Sequence, residues 1–286
     1  MSNIRLTEGQ QKALSRLKSF VNRTGKGIFI LKGYAGTGKS TLIRELINEL
    51  QRNEKPFALM ASTGRAAKII SNITGTDART VHSQIYTFHA LNQDIEKIVD
   101  ERNASGGVDK TGQLLLNFEL VTVDHWNDES RIYIVDEASM IADKPDTNAV
   151  QAIFGSGKLL TDLLSYDRRG KFVFVGDECQ LPPVQQANSP ALDKNYLEQK
   201  FDFPTEEYTL TEIFRQNSEN DIILASKKIR DLYHYPSAYK WAKFPLLGYR
   251  NIKVLPDQAT MLKLYVENIR KNGYNHSTLL CFSNNA

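Results

Sequence analysis

The residues Gly33-Tyr34-Ala35-Gly36-Thr37-Gly38-Lys39-Ser40 complete the spacing G-x-x-x-x-G-K-[ST]. Glycines at these positions let the backbone turn tightly, so that successive N–H groups point inward toward a phosphate. The start of a following helix adds roughly half a positive charge. Lys39 is placed to reach β- and γ-phosphates, and the Ser40 hydroxyl to hold Mg²⁺. The expected contacts to a nucleoside triphosphate are Gly33, Ala35, Gly36, Thr37, Gly38, Lys39, Ser40 and Thr41.

Three further groups carry chemistry. Ile132-Tyr133-Ile134-Val135-Asp136-Glu137 is an apolar run ending in two acids. Beside a phosphate loop, the first acid suits Mg²⁺ coordination and the second suits activation of the attacking water. Asp136 is therefore the expected metal-site acid and Glu137 the expected base. Phe172 to Val175 leads into Gly176-Asp177-Glu178-Cys179-Gln180-Leu181-Pro182-Pro183-Val184, a loop stiffened by two prolines. Its Gln180 can either meet the water and the γ-phosphate or face solvent. Leu210-Thr211-Glu212-Ile213-Phe214-Arg215-Gln216 offers Arg215, a guanidinium suited to neutralising charge that develops on a transferred phosphoryl group.

The elements that must hold these groups are legible as alternating patterns. Ile28-Phe29-Ile30-Leu31 reads as a buried strand before the phosphate loop. Leu42, Ile43, Leu46, Ile47 and Leu50 fall at helical spacing after it. Ala13, Leu14, Leu17, Phe20 and Val21 predict an earlier helix, with Thr7 and Gln10 as a capping box. Further strands are expected at Phe57–Met60, Ile132–Val135, Phe172–Val175 and, more weakly, Tyr208–Leu210. Helical segments separate most of them, which predicts an α/β fold with a mainly parallel sheet and helices on both faces. Ligands in such sheets bind beyond the carboxyl ends of the strands, where each of these motifs falls.

Residues 86–130 break the rhythm. They are polar, with turn signals at Ser105-Gly106-Gly107 and Thr111-Gly112, and read as an insertion of a helix followed by a β-hairpin. A boundary is expected near residues 216–220. Beyond it come helices around 222–232 and 259–271 and a strand-like apolar run at 277–282.

Composition excludes some classes. With 41% hydrophobic and 24% charged residues, a chain of 286 residues can bury a large core, and disorder is excluded. The net charge of +3 is too small to argue for nucleic acid by itself. Cys179 and Cys281 show no metal-ligand spacing and no disulfide framework. No run approaches a membrane span, and no apolar signal core opens the chain. The expectation is a cytoplasmic protein with no membrane partner, and a monomer.

Taken together, the motifs resemble those of the superfamily-one DNA helicases, in particular the RecD-like and phage Dda-type branch that moves 5′ to 3′. The resemblance covers Leu6 to Gln216 in the family's order. It implies a RecA-like P-loop NTPase domain over residues 1–216 with a small inserted subdomain, and an incomplete second RecA-like domain over 217–286. Leu6-Thr7-Glu8-Gly9-Gln10 is similar to the segment that reads adenine, which gives Gln10 to the base while the capping box competes for it. Ala61 to Lys68 is similar to a motif that grips single-stranded DNA, which implicates Thr63, Gly64 and Arg65. Ala78 to Ser83 is similar to the one after it, which implicates Thr80 and His82. From the residues alone, Thr63 can be a helix cap with or without a phosphate contact, and His82 reads as a surface or packed histidine before a base-stacking one; the resemblance reverses that order. Arg215 would be the first of two arginine fingers, and the 86–130 insertion the pin that splits a duplex. Single-stranded DNA and its junctions with duplex are the implied partners.

The family's later motifs, including its second arginine finger, do not follow Cys281 to Asn285. The expectation is a fragment of a longer helicase whose ATP hydrolysis responds to single-stranded DNA. The alternative is an ATP-dependent binding module or switch that does not unwind.

Overall fold

A computed structural model describes residues 6–88, 116–123, 131–145, 152–212, 221–234 and 248–280. The chain divides into two compact units, residues 1–215 and 216–286.

The first unit is built on a six-stranded sheet. Its strands are β1 (Gly27–Gly33), β2 (Phe57–Ala61), β3 (Ala78–Thr80), β6 (Ile132–Asp136), β8 (Lys171–Gly176) and β9 (Thr205–Leu210). They lie in the order β3-β2-β6-β8-β1-β9, and every neighbouring pair is parallel. The unbroken apolar runs of β1, β6 and β8 follow from burial on both faces. Alternate residues separate cleanly between the two sides. Ile28, Ile30, Tyr133, Val135, Phe172 and Phe174 join one core cluster. Phe29, Leu31, Ile132, Ile134, Val173 and Val175 join the other.

Helices cover both faces. On the second cluster lie α1 (Glu8–Asn22) and α2 (Lys39–Arg52), which bury Leu17, Phe20, Leu42, Ile43, Leu46, Ile47 and Leu50. The first cluster is covered by α5 (Leu159–Tyr166) and α6 (Lys194–Phe201), through Leu160, Leu163, Leu164 and Leu197. Each such side chain contributes about 1.5–3 kcal/mol on full burial, so these apolar stripes hold the helices in place.

The last turn of α1 has no basic residue of its own. Two lysines at the starts of other strands supply the charge. Lys55 Nζ donates to the Val21 carbonyl at 3.0 Å and to Asn22 Oδ1 at 2.7 Å, and Lys171 Nζ donates to the Val21 carbonyl at 3.3 Å. Cations at the negative end of a helix dipole stabilise it. Burial, with Lys55 and Arg23 close by, pulls the Lys171 pKa down.

α3 (Gly64–Thr74) follows β2, and the short α4 (Val81–Ile85) follows β3. A second sheet has the order β4-β5-β7, from β4 (Tyr86–Phe88), β5 (Leu116–Leu120) and β7 (Ala152–Phe154). β4 and β5 pair antiparallel, whereas β5 and β7 pair parallel. The inserted sheet therefore recruits a strand from beyond the 86–130 segment. The expected helix before the hairpin lies outside the described residues.

In the second unit, α7 (Asp221–His234) and α8 (Gln258–Asn272) stand where helical periodicity predicts them. The apolar run expected as a strand at 277–282 is corrected: its described part, 277–280, is not a strand. An apolar run alone forms no strand without a partner to take its backbone hydrogen bonds.

Candidate nucleotide-binding site

The strand order assembles the site. The phosphate loop leaves the carboxyl end of β1, the acid pair ends β6, and the Gln180 loop leaves β8, which lies between them.

The loop turns through Gly36 and Gly38, at φ 85° and 87°, in the left-handed region that glycine adopts without strain. At Gly33 the constraint is space. A Cβ there would lie 2.6 Å from Thr37 Oγ1. Thr37 is fully buried and tightens the loop, its Oγ1 donating to the Tyr34 carbonyl at 2.8 Å and its N–H to the same oxygen at 3.2 Å. Lys39 Nζ lies along the loop and donates to the carbonyls of Gly33 at 2.6 Å and Tyr34 at 3.1 Å. No side chain caps the first turn of α2 among the described residues. The first-turn amides at Lys39, Ser40 and Thr41 are thus of the kind that anions satisfy at helix N-termini. Ala35 is exposed at the loop's tip.

Asp136 ends β6 opposite Ala61 of β2, and its carbonyl accepts from the Ser62 N–H at 3.3 Å. Burial, reinforced by the charge of Glu137, pushes its carboxyl up to about 6, against the opposing pull of Lys39. Glu137 sits at φ 52°, a left-handed conformation for a non-glycine residue, which turns the chain out of the strand. Its Oε2 is buried with no hydrogen-bond partner among the described residues.

Gln180 is exposed, and its N–H closes a turn onto the Asp177 carbonyl at 3.1 Å. Leu181, Val184 and Met140 are also exposed beside it. With Pro182 and Pro183 they line an open, mainly apolar groove.

Two residues with expected nucleic-acid roles share one sheet edge. β3 ends at Thr80, paired with Ala61 of β2, two residues before Thr63. Thr63 caps α3 by accepting from the Ala66 N–H at 3.2 Å, and Thr80 caps α4 by accepting from the Ser83 N–H at 3.1 Å. Gly64 and Arg65 are exposed on the first turn of α3. The His82 ring is half-buried, edge-on to Phe154 at 5.0 Å and tilted against Tyr86 at 5.8 Å. Burial lowers its pKa. Arg215 lies outside the described residues.

Residues 5–239 match the family model of the AAA domain. The chain belongs to that family. An ATP-dependent RecD2 DNA helicase of Deinococcus radiodurans is 28% identical over 221 residues, which cover 77% of this chain. An ATP-dependent DNA helicase Pif1 of Bdellovibrio bacteriovorus is 32% identical over 194 residues, 63% of this chain. The chain spans only 23% and 34% of these two relatives' lengths. Among solved structures, the Pif1 helicase from Candida albicans is 25% identical with a TM-score of 0.47, covering 79% of this chain and 44% of that one. In sequence, this AAA domain is similar to the superfamily-one RecD- and Pif1-like proteins.

Two features of this AAA domain were not apparent from its motifs. Asp143, six residues after Glu137, is buried and accepts from the Thr161 N–H at 3.1 Å, from Thr161 Oγ1 at 2.6 Å, and from Tyr196 and Lys200. It thereby ties the segment after the acid pair to α5 and α6. Gln10 forms the expected capping box with Thr7 and in addition touches the phosphate loop through Thr37. No local pattern signals either contact, because the partners are 18 to 57 residues away in sequence. Among the described residues, no helix is long and apolar enough to cross a membrane.

Proposed function

We propose that this chain is an ATP-hydrolysing motor domain of a DNA helicase that moves 5′ to 3′ on single-stranded DNA and acts at junctions with duplex. One observation carries the reading. Along the sheet, β3 ends at Thr80, β2 ends two residues before Thr63, β6 ends at Asp136 of the acid pair, β8 leads into the Gln180 loop, and β1 leads into the phosphate loop. Nucleotide groups and DNA-grip groups thus occupy one rim, with the acid pair between them. Names of relatives that include ATP-dependent DNA helicases support the same reading.

In this reading Lys39 and the first-turn amides of α2 bind the β- and γ-phosphates. Ser40 and Asp136 fit Mg²⁺, a hard cation that takes one or two carboxylates beside substrate phosphates. The raised Asp136 carboxyl and the buried Glu137 Oε2, unpartnered among the described residues, mark an acid pair that a cation suits. The metal would offset phosphate charge. Glu137 orients and deprotonates the attacking water, Gln180 senses the γ-phosphate, and Arg215 neutralises charge on the transferred group. Thr63, Gly64, Arg65, Thr80 and His82 hold the strand, chiefly by its phosphates. The sheet of β4, β5 and β7 is the base of a duplex-splitting pin.

Fluorescence anisotropy with labelled oligodeoxythymidine tests the DNA half of this reading. Affinity should fall linearly on a log–log plot against salt, and Arg65→Ala should flatten that slope by about one contact. Binding that is absent, or indifferent to salt, would contradict it.

A further inference from the structure

Lys32 stands on β1 one residue before the phosphate loop begins at Gly33. It lies opposite Gly176 of β8 on one side and Thr209 of β9 on the other. Alternation along β1 puts it on the face of Ile28 and Ile30, away from Phe29 and Leu31. Its side chain is 15% exposed, so the ammonium needs a counter-charge close by. Two carboxylates supply it. Glu207 Oε2 lies 3.1 Å from Lys32 Nζ, and Glu178 Oε2 lies 3.5 Å from it.

The two acids are held differently. Glu207 sits within β9, where the ladder fixes it opposite Ile30. Glu178 belongs to the loop after β8, two residues before Gln180. Local turns shape that loop: the Cys179 N–H donates to Asp177 Oδ1 at 3.0 Å, and the Gln180 N–H to the Asp177 carbonyl at 3.1 Å. Such turns curl the loop without fixing where it lies against β1, whereas the Lys32–Glu178 pair reaches from the loop to that strand. Without Lys32, Glu178 and Glu207 would be like charges facing one another, and their repulsion would push the loop outward.

We propose that Lys32 is a positioning residue for the Gln180 loop, holding it through Glu178 beside the strand that carries the phosphate loop. This deepens the ATP-hydrolysis reading, and its effect on turnover rests on that reading.

The half-buried Cys179, next to Glu178, reports the position of the loop. In a Cys281→Ser background, the rate of alkylation by neutral iodoacetamide is compared for the original Lys32, Lys32→Met and Lys32→Arg, each confirmed as folded by circular dichroism. Loss of a partly buried ion pair predicts about fivefold faster alkylation in Lys32→Met, with Lys32→Arg within about twofold of the original. Removing a nearby cation raises a thiol pKa and slows its alkylation, so acceleration reports movement of the loop and not the change of charge. An unchanged or slower rate in Lys32→Met would overturn the proposal. Turnover gives a second reading: kcat for ATP should fall about fivefold in Lys32→Met while KM stays within about twofold. In a Gln180→Ala background Lys32→Met should cause no further fall. An unchanged kcat, or an equal fall in that background, would overturn the proposal. If the chain hydrolyses no ATP, the ATP-hydrolysis reading fails, and alkylation still decides on Lys32. Should Lys32→Met not fold, Glu178→Asp keeps the charge beside Cys179 and withdraws the carboxylate from Lys32 by one methylene. Faster alkylation in that variant supports the proposal, and an unchanged rate overturns it.

Discussion

Asp136 and Glu137 are consecutive at the end of β6, yet the chain reverses its conformation between them. Asp136 completes the strand, paired with Ala61, while Glu137 enters the left-handed region at φ 52°. The turn brings two carboxylates to one strand end, where Asp136 is buried and Glu137 keeps a buried, unpartnered oxygen among the described residues.

Such a pair costs stability in the absence of a cation. Asp136→Asn removes the buried charge whose pKa burial and Glu137 push up to about 6. The nucleotide-free variant should be more stable by roughly 1–3 kcal/mol at neutral pH. Urea unfolding in metal-free buffer measures this, and the same variant should lose ATP turnover.

Glu137→Gln separates binding from chemistry. It keeps the size and polarity of the side chain and removes its capacity to take a proton. ATP affinity should stay within a few-fold of the original chain, while turnover falls by about 10²–10⁴. Equilibrium binding and steady-state hydrolysis on the same preparation check the split.

Asp143 contributes stability with a defined pH window. Burial raises its carboxyl pKa, but hydrogen bonds from Lys200, Thr161 and Tyr196 outweigh that and hold it below its ordinary 3.8. A group whose pKa falls on folding stabilises fully above its unfolded value and loses that contribution as pH drops through the folded one. Asp143→Asn should cost about 2–4 kcal/mol at pH 7. The gap between variant and original chain should narrow as pH falls from about 5 toward 3. Urea unfolding across that range reads both effects.

Phe154 joins the small sheet to α4. It stacks on Phe118 at 4.5 Å and meets the edge of His82 at 5.0 Å. Phe154→Ala should cost about 2–3 kcal/mol for a half-buried ring. Burial lowers the His82 pKa, so letting water reach the ring should raise it toward the ordinary value of 6.5. A proton NMR titration of His82 follows the shift.

The central sheet was legible because β1, β6 and β8 are apolar on both faces, which leaves a continuous hydrophobic run and little else to read. The site was legible for a related reason, since a glycine-rich turn with a lysine and an acid pair, each closing an apolar strand, seldom occur together except around a phosphate. β7 escaped notice because Ala152-Ile153-Phe154 is too short for a period and its partner lies 36 residues earlier. The run at 277–280 misled in the opposite sense, because apolar character alone specifies no pairing: no strand takes its backbone hydrogen bonds among the described residues, and Leu280 is exposed. At Gln10 the motif permitted two readings, a cap or a base contact. The third contact, to Thr37, depends on how α1 packs beside the loop, and no spacing encodes that.

Coupling between the phosphate loop and the DNA-grip residues is read most directly by steady-state ATP hydrolysis with and without oligodeoxythymidine, beside a Lys39→Ala control. Turnover should rise with the oligonucleotide, fall with salt, and disappear in the control. Hydrolysis that ignores single-stranded DNA, or that survives the loss of Lys39, would contradict a DNA-coupled motor.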